Sequence, residues 1–183
     1  MRKVIAAINM TLDGYCDHTA VDADAELHQY YTDLLNNAGV LLYGRITYLL
    51  MESFWPALIT KPSGTSSLDE FAVAIDRIPK VVFSHTLKTL TWDSARLAIN
   101  PLEEEVKQLR QMEGKDIYVG SPGLISALTA LRLIDEYQLC IHPVIAGSGL
   151  PLFRGISEKV ILKRSGSKIL GSGAFVMSYE SQV

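Results

Sequence analysis

Apolar positions along this chain switch repeatedly between two spacings. Residues 3 to 9 (KVIAAIN), apolar from Val4 to Ile8, read as a strand covered on both faces. From 25 to 38, Leu27, Tyr30, Tyr31, Leu34, Leu35 and Ala38 recur at helical spacing, which predicts an amphipathic helix. Asp22 or Asp24 stands where an N-cap belongs, and Gly39 where a helix would end. A second buried strand is predicted over 40 to 43, with a helix over 45 to 53 directly behind it. Residues 59 to 69 (ITKPSGTSSLD) read as a surface loop.

A helix over 69 to 77, a strand over 80 to 84 and another over 95 to 99 come next. Asn100-Pro101-Leu102-Glu103 predicts a helix start, with Asn100 as cap and Pro101 at the first helical position; Gly114 would terminate that helix. Residues 116 to 119 predict a strand, Ser121-Pro122 opens a helix to about Leu131, and 136 to 145 is a long strand. The last two strands, near 159 to 170 and 174 to 181, turn at Gly171-Ser172-Gly173. Strands separated by helices imply a mostly parallel central sheet covered by helices on both faces; the final strands, with no helix between them, imply an antiparallel C-terminal hairpin. The expected architecture is one three-layer α/β domain over 1 to 183.

Composition changes this picture little. The chain is 48% hydrophobic and 20% charged, with a formal net charge of -3, and lacks the basic surface of a nucleic-acid binder. Its N-terminal apolar run is too short for a signal-peptide core, and no stretch has the roughly 18 to 20 apolar residues of a membrane helix. Cys16 and Cys140 form no Cys-x-x-Cys. A reducing cytoplasm is the expected setting, with no nucleic-acid or membrane partner.

Chemistry enters at the strand ends. In α/β sheets, ligands sit beyond the carboxyl ends of the strands, where helix N-termini point. Gly44-Arg45-Ile46-Thr47 offers bare backbone N–H groups, a guanidinium and a hydroxyl, a set suited to an anion; it equally fits a plain strand-to-helix turn with a solvated arginine. Ser84-His85-Thr86 and Gly120-Ser121-Pro122-Gly123 end two other predicted strands with similar groups. Three such junctions point to one ligand with several phosphates, such as a nucleotide. Gly147-Ser148-Gly149 lacks the third glycine of the dinucleotide fingerprint, and there is no Walker phosphate loop or nucleophile elbow. His18, His28, His85 and His142 show no metal-ligand spacing, so no metal is expected.

The stretches AAINMTLDGY, LLYGRITYLLMESFW, KVVFSHTL, GKDIYVGSPGLISAL and LIDEYQLCIHPVIAGSGLPLF, in this order, resemble the dihydrofolate reductase-like family that includes the C-terminal reductase domain of the bifunctional riboflavin-biosynthesis deaminase/reductase. The resemblance implies an NADPH-dependent reductase acting on a C=N or C=O bond of a pterin-like or ribosylaminopyrimidine-like compound. It implies that Gly44, Arg45 and Thr47 meet the cofactor pyrophosphate, and that Ser84, His85 and Thr86 surround the adenosine 2′-phosphate. Gly120, Ser121, Pro122, Gly123, Leu124 and Ile125 would run beside the phosphates and ribose. Ala7 and Ile8 would offer backbone groups to the nicotinamide, and the 10-to-15 loop with Asp13 and Gly14 would close over it. The family often carries arginine where His85 stands and a second glycine where Ser121 stands. Asp13 is the first candidate proton donor and Glu26 the second; Asp13-Gly14 also makes an ordinary turn, and Glu26 an ordinary first-turn charge. The Trp and Pro that usually precede the acid of true dihydrofolate reductases are missing before Glu26. No deaminase signature (His-x-Glu with Pro-Cys-x-x-Cys) is present, so any deamination falls to another protein. The other readings are a dihydrofolate reductase and a nucleotide-binding module without catalysis. The long C-terminal strands suggest a homodimer.

Overall fold

In the computed structural model, which describes residues 1–21 and 23–182, each strand opens into a helix or loop at its carboxyl end. The elements are β1 (Val4–Thr11), α1 (Ala25–Asn37), β2 (Ala38–Gly44), α2 (Arg45–Glu52), α3 (Trp55–Thr60), α4 (Ser66–Arg77), β3 (Lys80–Phe83), β4 (Ala95–Leu97), α5 (Leu102–Gln111), β5 (Asp116–Val119), α6 (Pro122–Ala130), β6 (Glu136–His142), β7 (Leu162–Ile169) and β8 (Phe175–Ser181). The strands order as β4-β3-β2-β5-β1-β6-β8-β7. β1 with β6, β2 with β3 and β3 with β4 are parallel, whereas β8 pairs antiparallel with both β6 and β7. The sheet is therefore mixed and mostly parallel, with the antiparallel part at its C-terminal end.

The chain falls into two compact units, one of Met1–Arg2 with Ala23–Ile117 and one of Lys3–Asp22 with Tyr118–Val183. In the first, α1 and α3 both pack on α4. Its core includes Leu27, Leu42, Ile75, Val82 and Trp92, and a T-shaped and tilted aromatic cluster of His28, Trp55 and Phe71 closes one side. In the second, Val4, Ala6, Ile125, Leu128, Tyr137 and Cys140 are fully or nearly fully buried. Tyr137 and Thr129 of α6 share a hydrogen bond of 2.9 Å between their hydroxyls. A chain of this length removes enough apolar surface from water for the hydrophobic term to dominate folding.

Local signals explain most boundaries, and the exceptions have physical causes. Asp24 caps α1, its Oδ1 accepting from Leu27 N at 2.8 Å. The alternative cap Asp22 lies outside the described residues. Gly39 does not end α1: Ala38 is the C-cap with extended dihedrals, and Gly39 is already in β2. A Cβ there would lie 2.6 Å from Lys115 O, so close backbone approach requires the glycine. Pro101 is the N-cap of α5, not its first helical residue, because its ψ of 154° is extended. The buried Glu105 carboxylate, rather than the Asn100 side chain, receives Ile99 N and Asn100 N at that helix start. The expected 59-to-69 loop is shortened by α3, which runs to Thr60, and by α4, which begins at Ser66. The strand expected over 136 to 145 stops at His142, where Pro143 lacks the N–H a ladder needs.

Candidate active site

In the first unit, β2 hands over to α2 between Gly44 and Arg45. Gly44 is the N-cap with φ −77° and ψ 163°, a conformation any residue adopts. The turn itself does not demand glycine; what glycine leaves is a helix start with no side chain over it and no side-chain cap. Arg45 is exposed at the first helical position and Thr47 is half-buried at the third. The parallel register pairs Gly44 with Phe83, so the next residues on these neighbouring strands are Arg45 and Ser84. Ser84 Oγ accepts Thr86 N at 3.2 Å and Leu87 N at 3.0 Å, closing a tight turn that leaves His85 and Thr86 exposed at its tip. The structure thus brings Arg45 and the Ser84–Thr86 turn to adjacent strand ends. A guanidinium, an imidazole, two hydroxyls and the amides of a helix start are the donor set a phosphate-rich cofactor needs, and the residues fit one.

Two residues not named as site candidates from the sequence make buried polar contacts in the same unit. Tyr48, 2% exposed, places its Oη to accept Thr91 N at 3.2 Å and Trp92 N at 3.3 Å. Lys80, fully buried at the start of β3, donates to Ile75 O at 2.6 Å, Ile78 O at 2.8 Å and Ser94 Oγ at 2.8 Å, and lies 3.9 Å from the Trp92 ring centroid. Burial pushes its pKa down to about 7, against the opposing pull of Asp76. A lysine opening an apolar strand was the available signal. Glu26 stays exposed in the first turn of α1, next but one to the Asp24 cap.

In the second unit, Ala7 and Ile8 lie within the β1–β6 ladder, opposite Gln138 and Leu139. At the carboxyl end of that pair, His142 Nε2 and Asn9 Oδ1 are 3.0 Å apart, and both side chains share the face of Thr11. Gly120 follows β5, Ser121 is the buried N-cap of α6, Pro122 its first residue and Gly123 its second. Leu124 is half-buried and Ile125 is core, so that stretch can offer a ligand backbone rather than the Ile125 side chain. Ser126 hydroxyl donates to Leu152 O and accepts Arg154 N, and the Arg154 guanidinium comes within 3.7 Å of where a Gly123 Cβ would stand. Arg154 adds a cation above the α6 start that the sequence pattern did not single out.

The 10-to-15 loop is tied down rather than free. Asp13 Oδ1 receives the Thr11 hydroxyl at 2.6 Å and Ala146 N at 3.1 Å, and its Oδ2 receives Gly147 N at 2.7 Å. Leu12 N to Val144 O, Cys16 N to Leu150 O and Leu152 N to Gly14 O stitch the same two segments together. Gly14 and Gly147 sit at φ +88° and +73°, in the left-handed region that favours glycine. The Thr11 hydroxyl bond, followed by those from Gly147 and Ala146, holds the Asp13 carboxyl below its ordinary 3.8. These bonds make the carboxylate a strap between the two segments. Among the described residues, no three of His, Cys, Asp and Glu gather as metal ligands, and no helix is long and apolar enough to cross a membrane.

The chain is thus an α/β protein with a mixed sheet and strand ends suited to phosphate. The chain belongs to the RibD C-terminal domain family, whose model matches residues 2–176. It is 32% identical over 183 residues, 97% of this chain and 94% of the relative, to the uncharacterized protein YyaP of Bacillus subtilis (strain 168). Solved structures share the fold. A candidate riboflavin-biosynthesis protein of Shewanella sp. PV-4 matches over 100% of both chains with TM-score 0.74 and 18% identity. The diaminohydroxyphosphoribosylaminopyrimidine deaminase/5-amino-6-(5-phosphoribosylamino)uracil reductase of Thermotoga maritima matches 99% of this chain and 57% of its own, with TM-score 0.67 and 18% identity.

Proposed function

We propose that the chain is an NADPH-dependent reductase that delivers hydride to a C=N or C=O bond of a pterin-like or ribosylaminopyrimidine-like substrate. The observation that carries this reading is the β2–β3 register, which sets Arg45 and the Ser84–Thr86 turn side by side at the mouth of α2. Membership of the reductase-like family supports it. When bound, the nicotinamide supplies the hydride. Arg45 grips the pyrophosphate with its guanidinium fork, and His85 with its neighbouring hydroxyls receives the 2′-phosphate. Asp13 keeps the loop from Thr11 to Cys16 against the segment from Val144 to Leu152, and the proton that completes the reduction comes from solvent.

Thermal unfolding with each cofactor tests the reading. NADPH at about 100 times its dissociation constant adds roughly 2.7 kcal/mol, or about 5–10 °C for a chain of this length, and NADH shifts it less. Arg45→Ala weakens both cofactors about tenfold, the value of one lost charge-assisted hydrogen-bonding group. Oxidation of NADPH across a panel of pterins and ribosylaminopyrimidines then identifies the substrate. No thermal shift with either cofactor would bring the proposal down.

A further inference from the structure

Helix α2 does more than present Arg45. One turn further on, Tyr48 is buried and its hydroxyl oxygen accepts two consecutive backbone amides, Thr91 N and Trp92 N. A further turn along, the carboxylate of Glu52 accepts the Thr91 hydroxyl. Trp92 is held from its far side as well, its Nε1 donating to Asp76 Oδ1 at 2.6 Å. Residues 84 to 92 therefore leave β3 through the Ser84 turn and are seized, within the same compact unit, by the helix that carries Arg45. A phenol can accept two hydrogen bonds without carrying charge, so this brace costs little to bury. Phenylalanine fills the same volume and lacks the oxygen.

We propose that Tyr48 is a positioning residue for cofactor discrimination: through Thr91 and Trp92 it fixes the segment whose opposite end carries Ser84, His85 and Thr86, and so sets the preference for the 2′-phosphorylated dinucleotide. This rests on the reductase reading above. The logic is selective because the turn at Ser84–Thr86 meets only the 2′-phosphate, which NADH lacks. Loosening the segment harms the phosphorylated cofactor and spares the other. An imidazole offers a phosphate fewer donors than the guanidinium fork does, so the site depends more on the placement of His85 than an arginine site would.

Dissociation constants of NADPH and NADH for the wild-type chain, Tyr48→Phe and Glu52→Ala decide it, with thermal unfolding of each protein alone as the fold control. Tyr48→Phe is expected to weaken NADPH about tenfold, the value of two neutral hydrogen bonds, and to leave NADH within about twofold. Glu52→Ala, which cuts the exposed strand of the brace, shifts the same ratio in the same direction by less, and decides the matter alone should Tyr48→Phe not fold. Equal weakening of both cofactors, or a lowered melting temperature with the ratio unchanged, overturns the positioning role. A wild-type chain that binds neither cofactor overturns the reductase reading, and this inference with it.

Discussion

Two loops at strand ends are fastened by opposite means. The segment after β1 is held by a charge: the exposed carboxylate of Asp13 gathers one hydroxyl and two amides. The segment after β3 is held by buried groups, the Tyr48 phenol at one point and Trp92 packed against Lys80 at the next. A carboxylate latch at the surface is reversible and responds to acid; a buried phenol accepting two amides is a neutral hydrogen-bonded brace. The first suits a loop that must open and close, the second a loop that must not move. Substitutions in each fastening separate the two behaviours.

The largest effect is expected at Lys80. Lys80→Met keeps the volume and removes the donor, leaving the carbonyls of Ile75 and Ile78 facing an apolar side chain. Stranding buried acceptors of this kind costs about 3 kcal/mol, or roughly 6–12 °C in melting temperature. The pH dependence has a definite sign. The folded-state pKa, near 7, lies below the unfolded value of 10.5, so between these the unfolded chain binds the extra proton. Stability therefore rises as pH climbs from about 7 toward 10, and Lys80→Met abolishes that rise. Denaturant midpoints across this range check both statements; a flat wild-type profile would mean the ammonium stays charged among its carbonyls.

A smaller and more local effect is expected at Asp13. Asp13→Asn turns one acceptor oxygen into an NH2 group that faces other donors. The amides of Ala146 and Gly147 should exchange about tenfold faster, with little change in those of β1, because local opening need not unfold the strand. The carboxyl titrates below its ordinary 3.8, so its contribution is complete above about pH 4 and is lost as pH falls through the lowered value. Hydrogen exchange at neutral and at acid pH would show the wild-type strap loosening and the variant unresponsive. Uniform exchange changes across the chain would instead place Asp13 in global stability and erase the contrast with Tyr48.

How far each fastening could be read in the sequence follows from how local it is. The Gly44–Arg45 junction, a cap at Asp22 or Asp24 and the succession of strands and helices along the chain are written in residues close together, where periodicity and capping signals reach them. The C-terminal antiparallel strands are likewise legible, because nothing helical separates them. The straps are not. Asp13 meets residues 133 and 134 positions away, and Tyr48 meets amides 43 and 44 positions away. A tyrosine in an apolar stretch looks like core, and an Asp-Gly pair looks like a turn; each is that, and its polar atoms also hold a distant backbone. Gly39 failed as a helix stop for the same reason, since the contact that demands it comes from Lys115. Arg154 becomes interesting only because Ser126 places its backbone over α6.

The smallest effect is expected at the other acid of the sequence pattern. Glu26 and Asp13 both begin as candidate proton donors, yet their surroundings differ. Asp13 is encircled by donors, whereas Glu26 stands exposed in a helix's first turn beside a working cap. A negative charge there favours the helix dipole by about 0.3–1 kcal/mol, and a neutral amide gives most of that up without disturbing the Asp24 cap. Glu26→Gln should therefore lower the melting temperature by no more than roughly 4 °C and change the rate of cofactor oxidation less than twofold with any substrate found. General acids contribute about 10²–10⁴-fold, so the two roles are well separated on the rate axis. A loss of that size would make Glu26 the proton source and move the chain toward the dihydrofolate reductases. A small thermal shift with an unchanged rate would leave the reduction without a side-chain acid, consistent with an ionised Asp13 and a proton taken from water.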